Sequence, residues 1–171
     1  MKKVINEYFW LIAIAALIVL TDQLSKIWVR QNLAFGEVYH PELWLSRYAR
    51  LIHVKNTGIV FGLFPNAGGF FSLLPIIIGV MILFYYPRIP RQDWMIRLAL
   101  GLYLGGAIGN LIDRLQFGHV TDFVSVDSFA VFNVADASLS IGAAILILGF
   151  LLQERRKIAE HGETNSGSAG S

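Results

Sequence analysis

"WMIRLALGLYLGGAIGNLIDR", residues 94–114, decides how this chain is built. Residues 94–112 are nearly all apolar, close to the roughly 20 that a helix needs to cross a bilayer. Gly101, Gly105, Gly109 and Asp113 recur every four residues and so share one helix face. Small residues at that spacing let a second helix approach closely. The packing face therefore ends in a carboxylate, with Asn110 beside it and Arg114 just after. An ionisable group in such a place is costly, and its default explanation is function.

Working outward, three more stretches have the same length and apolar character: 8–28, 69–86 and 134–152. The chain is 55% hydrophobic and 15% charged, where a soluble domain would be about 25% charged. We therefore expect an all-α membrane protein of four transmembrane helices, forming a single integral domain over 1–157. Pro75 falls early in the second span, while Pro87 and Pro90 end it. Trp10, Trp28, Tyr85, Tyr86 and Trp94 stand near span ends, as interfacial aromatics do. Residues 158–171 are polar and small, which reads as a disordered tail, its Gly/Ser end partly an expression remnant.

Short segments on one side carry Lys2, Lys3, Arg88, Arg91, Arg97, Arg155, Arg156 and Lys157. The other side has Lys26, Arg30, Arg47, Arg50, Lys55 and Arg114 spread over two longer loops, 29–68 and 113–133. Basic residues in short loops favour the cytoplasm, so both termini are expected there. The end of span three and the start of span four then meet at the outer face. "LWLSRYARLIHVKN" (43–56) has strand character, "NTG" is a turn, and "FVSVDSFAVF" (123–132) reads as two short strands. A small β-rich extracytoplasmic cap follows.

Span four repeats the polar ending of span three, with Asn133 and Asp136 opening it. Asp136 lies in a first helical turn, where an anion is favoured. Either it or Asn133 could serve as the cap. Two close aspartates cannot both ionise, so one keeps a proton. The charged one can take a proton from water while the other hydrogen-bonds a carbonyl. That is the chemistry of an aspartic peptidase, with Asp113 and Asp136 as the catalytic pair. A proton-coupled carrier using the same acids as a relay is the alternative. No cysteine, H-E-x-x-H or G-x-S-x-G is present, and no metal or cofactor is called for. The net charge of +2 is dispersed, which gives no reason to expect nucleic acid. Asp22 and Lys26 are i,i+4 and read first as an intrahelical ion pair with Lys26 snorkelling outward. Asn56-Thr57-Gly58 could present polar groups to a substrate backbone, and Asp122 is either a solvated loop acid or a support for the pair.

The blocks "TDQLSK", "KNTGIVFG", "GNLIDR", "VTDF" and "FNVADASL", in this order among four spans, resemble the bacterial lipoprotein signal peptidase (signal peptidase II) family. The resemblance implies an aspartic endopeptidase of the bacterial inner membrane. Such an enzyme removes signal peptides from prolipoproteins, cutting before a cysteine that already carries diacylglycerol. It also implies that the partners are these lipidated substrates and membrane lipid; we expect the chain to be a monomer. The family's catalytic blocks map onto Asp113 and Asp136. Its other motif residues map onto Asp22, Lys26, Asn56, Gly58, Asn110, Arg114, Asp122, Asn133 and Ala135.

Overall fold

The computed structural model describes residues 2–40, 48–57, 68–126 and 130–168. Among the described residues are four α-helices, α1 (Lys2–Asn32), α2 (Gly68–Tyr85), α3 (Trp94–Phe117) and α4 (Val134–Ser168), and three strands, β1 (Val38–Tyr39), β2 (Ala49–Asn56) and β3 (Val120–Val126). Among the described residues α1, α3 and α4 are long and apolar enough to cross a membrane, and the described part of α2 is a shorter apolar helix.

Helix α3 is the centre of the bundle. Of its apolar span 56% is buried within the protein, against 17% for α1 and 22% for α4, so the latter two present most of their surface outward. Phe9, Ile12, Leu17, Leu20, Ile147 and Phe150 are among the exposed apolar side chains there, as a lipid-facing surface requires. The glycine stripe explains the close packing. A Cβ on Gly105 would lie 2.7 Å from Ile18 Cβ, and one on Gly101 2.9 Å from Ile14 Cγ2, so α1 rests on that face. Gly106 points the other way, where a Cβ would meet the Ala135 carbonyl oxygen at 2.6 Å and Ser138 Oγ at 2.5 Å. Adjacent glycines thus admit α1 and α4 on opposite flanks of α3. Gly106→Ala is expected to lower the melting temperature of the purified protein, by the equivalent of about 1–3 kcal/mol, because a backbone oxygen must yield. Gly79→Ala, whose Cβ would sit an ordinary 3.5 Å from Leu104 Cδ1, is the neutral control. Equal melting of the two variants would contradict this account.

The ends of the helices differ from the sequence reading. That reading stops span one at Trp28, yet α1 runs to Asn32, because Val29 and Leu33 bury against Phe123 beneath the sheet. It stops span three at Ile112, yet α3 continues through "DRLQF" to Phe117. There Gly118, at φ 74°, returns its N–H to the Arg114 carbonyl at 3.0 Å and reverses the chain. Helix α4 runs past Leu152 to Ser168, into the stretch read as a disordered tail; "QERRKIAE" is made mostly of good helix formers.

The β cap is present as one antiparallel sheet of order β1-β2-β3. Strand β2 pairs with β3, with Val54 opposite Asp122 and Asn56 opposite Val120. The α1–α2 and α3–α4 connections therefore form a single sheet, a pairing that neither connection's pattern announces. The expected second strand of the later loop is reduced to one bridge, Val124 with Phe132. Of the strand reading over 43–56, residues 43–47 lie outside the described residues, and β2 begins at Ala49.

Candidate active site

The polar residues of α1, α3, β3 and α4 converge at one end of the bundle. Asp22, Lys26 and Asp113 are each 0% exposed, so every charge among them must be met by protein. Lys26 Nζ lies 2.8 Å from Asp22 Oδ2, 3.3 Å from Asp113 Oδ2 and 3.0 Å from Asn110 Oδ1. Its three N–H donors are thereby matched. The i,i+4 pair forms as read, but Lys26 turns into the bundle and does not snorkel.

Asp113 is occupied on both oxygens. Oδ1 accepts from Gln23 Nε2 at 3.2 Å and faces Arg30 Nη1 at 3.5 Å; Oδ2 takes Lys26 and the Thr121 backbone N–H at 2.9 Å. The reversal at Gly118 is what carries Thr121 back to it. Asp22 Oδ1 meanwhile accepts the Ala135 backbone N–H at 2.9 Å, tying α1 to the first turn of α4. Gln23 and Arg30 do not stand out in the sequence as site residues. Arg30 has a signal in its spacing: Asp22, Lys26 and Arg30 fall four apart along one face of α1. Arg30 also donates to Thr121 Oγ1 at 3.0 Å and covers the Phe117 ring at 4.6 Å.

Asn133 caps α4. Its Oδ1 accepts the Asp136 N–H at 2.9 Å, and Asp136 Oδ2 accepts the Asn133 N–H at 3.2 Å, a reciprocal capping box. The Asn133 amide also donates to Asp122 Oδ1 at 2.7 Å and to Asn110 Oδ1 at 3.2 Å. With Lys26 and Asn133 both donating to Asn110 Oδ1, its Nδ2 is left to donate to Asp136 Oδ1, at 2.7 Å. Asp122 Oδ2 accepts from Asn56 Nδ2 at 2.8 Å across the β2–β3 pair.

No hydrogen bond joins Asp113 to Asp136 among the described residues; Lys26 and Asn110 stand between them. Asp122 and Asp136 instead share Asn133. Burial pushes the Asp122 carboxyl up to about 6; the hydrogen bond from Asn56 opposes this, and the negative charge of Asp136 adds to it. Asp122 is buried, whereas Asp136 is half-buried. Arg114, also half-buried, lies in the field of Asp136, Asp122 and Asp113 and makes no direct ion pair among the described residues. Among the described residues three cations (Lys26, Arg30, Arg114) stand against four carboxylates (Asp22, Asp113, Asp122, Asp136).

Ala135 is fully buried and contributes its N–H. Gly58 lies outside the described residues. No cluster of metal-ligating side chains occurs among the described residues.

Known proteins match this arrangement over most of its length. A family model for signal peptidase (SPase) II covers residues 14–152. The lipoprotein signal peptidase of Shewanella sediminis is 31% identical, over 95% of this chain and 93% of its own. That of Moorella thermoacetica is 38% identical, over 81% and 91%. A bacterial membrane enzyme solved by the in meso method superposes with a TM-score of 0.77 at 28% identity, covering 86% of this chain and 90% of that one. With the apolar helices and the polar end already described, these matches make the chain a multi-pass membrane protein that belongs to the signal peptidase II family of peptidases.

Proposed function

We propose that this chain removes signal peptides from prolipoproteins, cutting before a diacylglyceryl-modified cysteine, as an aspartic endopeptidase whose working pair is Asp122 and Asp136. The observation that carries the reading is the shared Asn133: it holds a buried and a half-buried carboxylate at one helix N-terminus, in the field of Arg114. The sequence reading pairs Asp113 with Asp136. We assign Asp113 to the supporting framework, since its oxygens already serve Lys26, Arg30, Gln23 and Thr121.

In this scheme Asp136, ionised and half-buried, accepts a proton from a water molecule. Asp122, protonated as its buried setting favours, donates to the oxygen of the scissile carbonyl. The water oxygen bonds to the carbonyl carbon, giving a tetrahedral intermediate. Its collapse breaks the C–N bond: the proton held by Asp136 passes to the leaving amine, and the re-formed carbonyl returns its proton to Asp122. Asn110 and Asn133 orient the two acids, and Arg114, Asn56 and Gly58 meet the substrate backbone. The four helices all span the bacterial inner membrane, with both termini cytoplasmic and the acids near the outer face. A signal helix lying in lipid then presents its end to the site.

Purified protein in detergent, given a lipidated preprotein, is expected to release the signal peptide without added metal. The otherwise identical unlipidated preprotein is expected to be cut far more slowly, because the lipid anchor positions the cysteine. Comparable rates on the two would remove the lipid from the proposal. No cleavage of either would remove the peptidase assignment for this chain.

A further inference from the structure

A second constellation lies at the other end of the bundle. Along α1, sixteen residues separate Trp10 from Lys26, which at 1.5 Å per residue is about 24 Å. Here a cavity of about 450 Å³ opens between the start of α1, the start of α3 and the turn that follows α2. Its floor is Tyr86, which is fully buried, yet the Tyr86 hydroxyl has no hydrogen-bond partner among the described residues. A buried hydroxyl left unmet is costly. The sequence reading uses Tyr86 only as an interfacial aromatic, and the proposed chemistry does not involve it.

The walls carry a definite charge. Arg97 lies 4.2 Å from the Tyr86 ring centroid, held by the Ile89 carbonyl at 2.8 Å and the Glu7 carbonyl at 2.9 Å. Arg91 borders the same cavity and reaches Glu7 at 2.5 Å, while Arg97 reaches the same carboxylate at 3.3 Å. Two guanidinium groups share one carboxylate, so the site keeps a net positive charge. The rest of the lining is apolar or amphipathic: Ile14 and Leu98 on the inside, and the indoles of Trp10 and Trp94, 65% and 61% exposed, at the rim. Exposed indoles at helix ends belong at headgroup depth.

We propose that this cavity binds one anionic phospholipid. Its phosphate sits by Arg91 and Arg97 and accepts a hydrogen bond from the Tyr86 hydroxyl. Its upper acyl carbons lie along Ile14 and Leu98, between the two tryptophans. The volume suits a headgroup with the first carbons of its chains. A positive pocket between helices at the membrane surface is the chemistry that selects acidic over zwitterionic lipid. A free phosphate ion would satisfy the charges but leave the apolar walls uncovered.

The test uses full-length protein purified in detergent and stripped of lipid. Phosphatidylglycerol is expected to raise its melting temperature, while phosphatidylcholine at the same mole fraction and inorganic phosphate without lipid do not. Arg91→Gln, at a largely exposed position, is expected to weaken the apparent affinity about five-fold. Tyr86→Phe gives readouts of opposite sign. Without lipid it should melt at the same temperature or higher, since the lost hydroxyl had no partner. With phosphatidylglycerol it should gain less than the parent protein. Cleavage of a lipidated preprotein in detergent should be unchanged in both variants. Equal stabilisation by the two lipids, a full response to phosphate alone, or an undiminished phosphatidylglycerol response in both variants would each overturn the proposal.

Discussion

Asp136→Asn and Asp122→Asn are each expected to reduce cleavage of a lipidated preprotein by roughly 10³-fold or more, the scale of a lost general acid or base. Each substitution keeps side-chain shape while removing the ability to ionise. The double variant should be scarcely worse than either single one, because the two acids act as a unit. Asp113→Asn should differ in kind. It leaves Lys26 and Arg30 facing an amide, so its main effect should be on melting, with cleavage by the folded fraction far less affected. Released signal peptide, measured per folded molecule, separates the cases. If Asp113→Asn loses as much cleavage as Asp136→Asn while melting normally, the working pair is Asp113 and Asp136 as the sequence suggests.

Asp122→Asn also has a pH signature. A carboxyl pushed up to about 6 by burial favours the folded state while protonated. Its contribution is therefore complete below the ordinary aspartate range near 4 and is lost as pH rises through 6. That contribution has a ceiling on the order of 3 kcal/mol, from a shift of about two units. The parent protein should lose melting temperature between pH 4 and 6.5 relative to Asp122→Asn, whose amide does not titrate there. Parallel melting curves for the two over that window would contradict a raised Asp122 carboxyl.

The second large effect is on stability. Lys26→Met removes the cation that Asp22 and Asp113, both fully buried, hold in common. Leaving buried carboxylates without their partner costs about 3–5 kcal/mol. Thermal melting in detergent should fall steeply. Adding Asp22→Asn to Lys26→Met should restore part of the loss, since one of the stranded charges is removed. Asp22→Asn alone should cost less, because an amide oxygen can still accept the Ala135 N–H. Activity should drop as well: Lys26 helps fix the Asn110 oxygen and so aims the Asn110 amide at Asp136. An unchanged melting temperature for Lys26→Met would mean that water, and not Lys26, balances the two acids.

Much of this protein is decided by local pattern alone. The lengths of the apolar stretches determine the long helices, because a backbone in lipid must satisfy its own hydrogen bonds. The spacing of Gly101, Gly105 and Gly109 determines that α3 packs closely, and Asn133 with Asp136 three residues on determines how α4 begins. The i,i+4 spacing of Asp22 and Lys26 determines that they pair. The tertiary structure decides what each polar group meets beyond its own helix. Gly106 lies off the stripe of period four, so its close approach to α4 follows from how α3 is wedged between two neighbours. Lys26 turns inward because Asp113 and Asn110 arrive from α3 at the same depth. Asn56 reaches Asp122 only through the register of β2 on β3, which joins loops 66 residues apart. The choice between Asp113 and Asp122 as the companion of Asp136 is of the same sort. Both acids precede α4 and both sit among apolar residues, so composition and spacing do not separate them. Helix rotation and the chain reversal at Gly118 do, by closing Asp113 onto Lys26 and Arg30 and laying Asp122 beside Asn133, and neither is encoded in a local period.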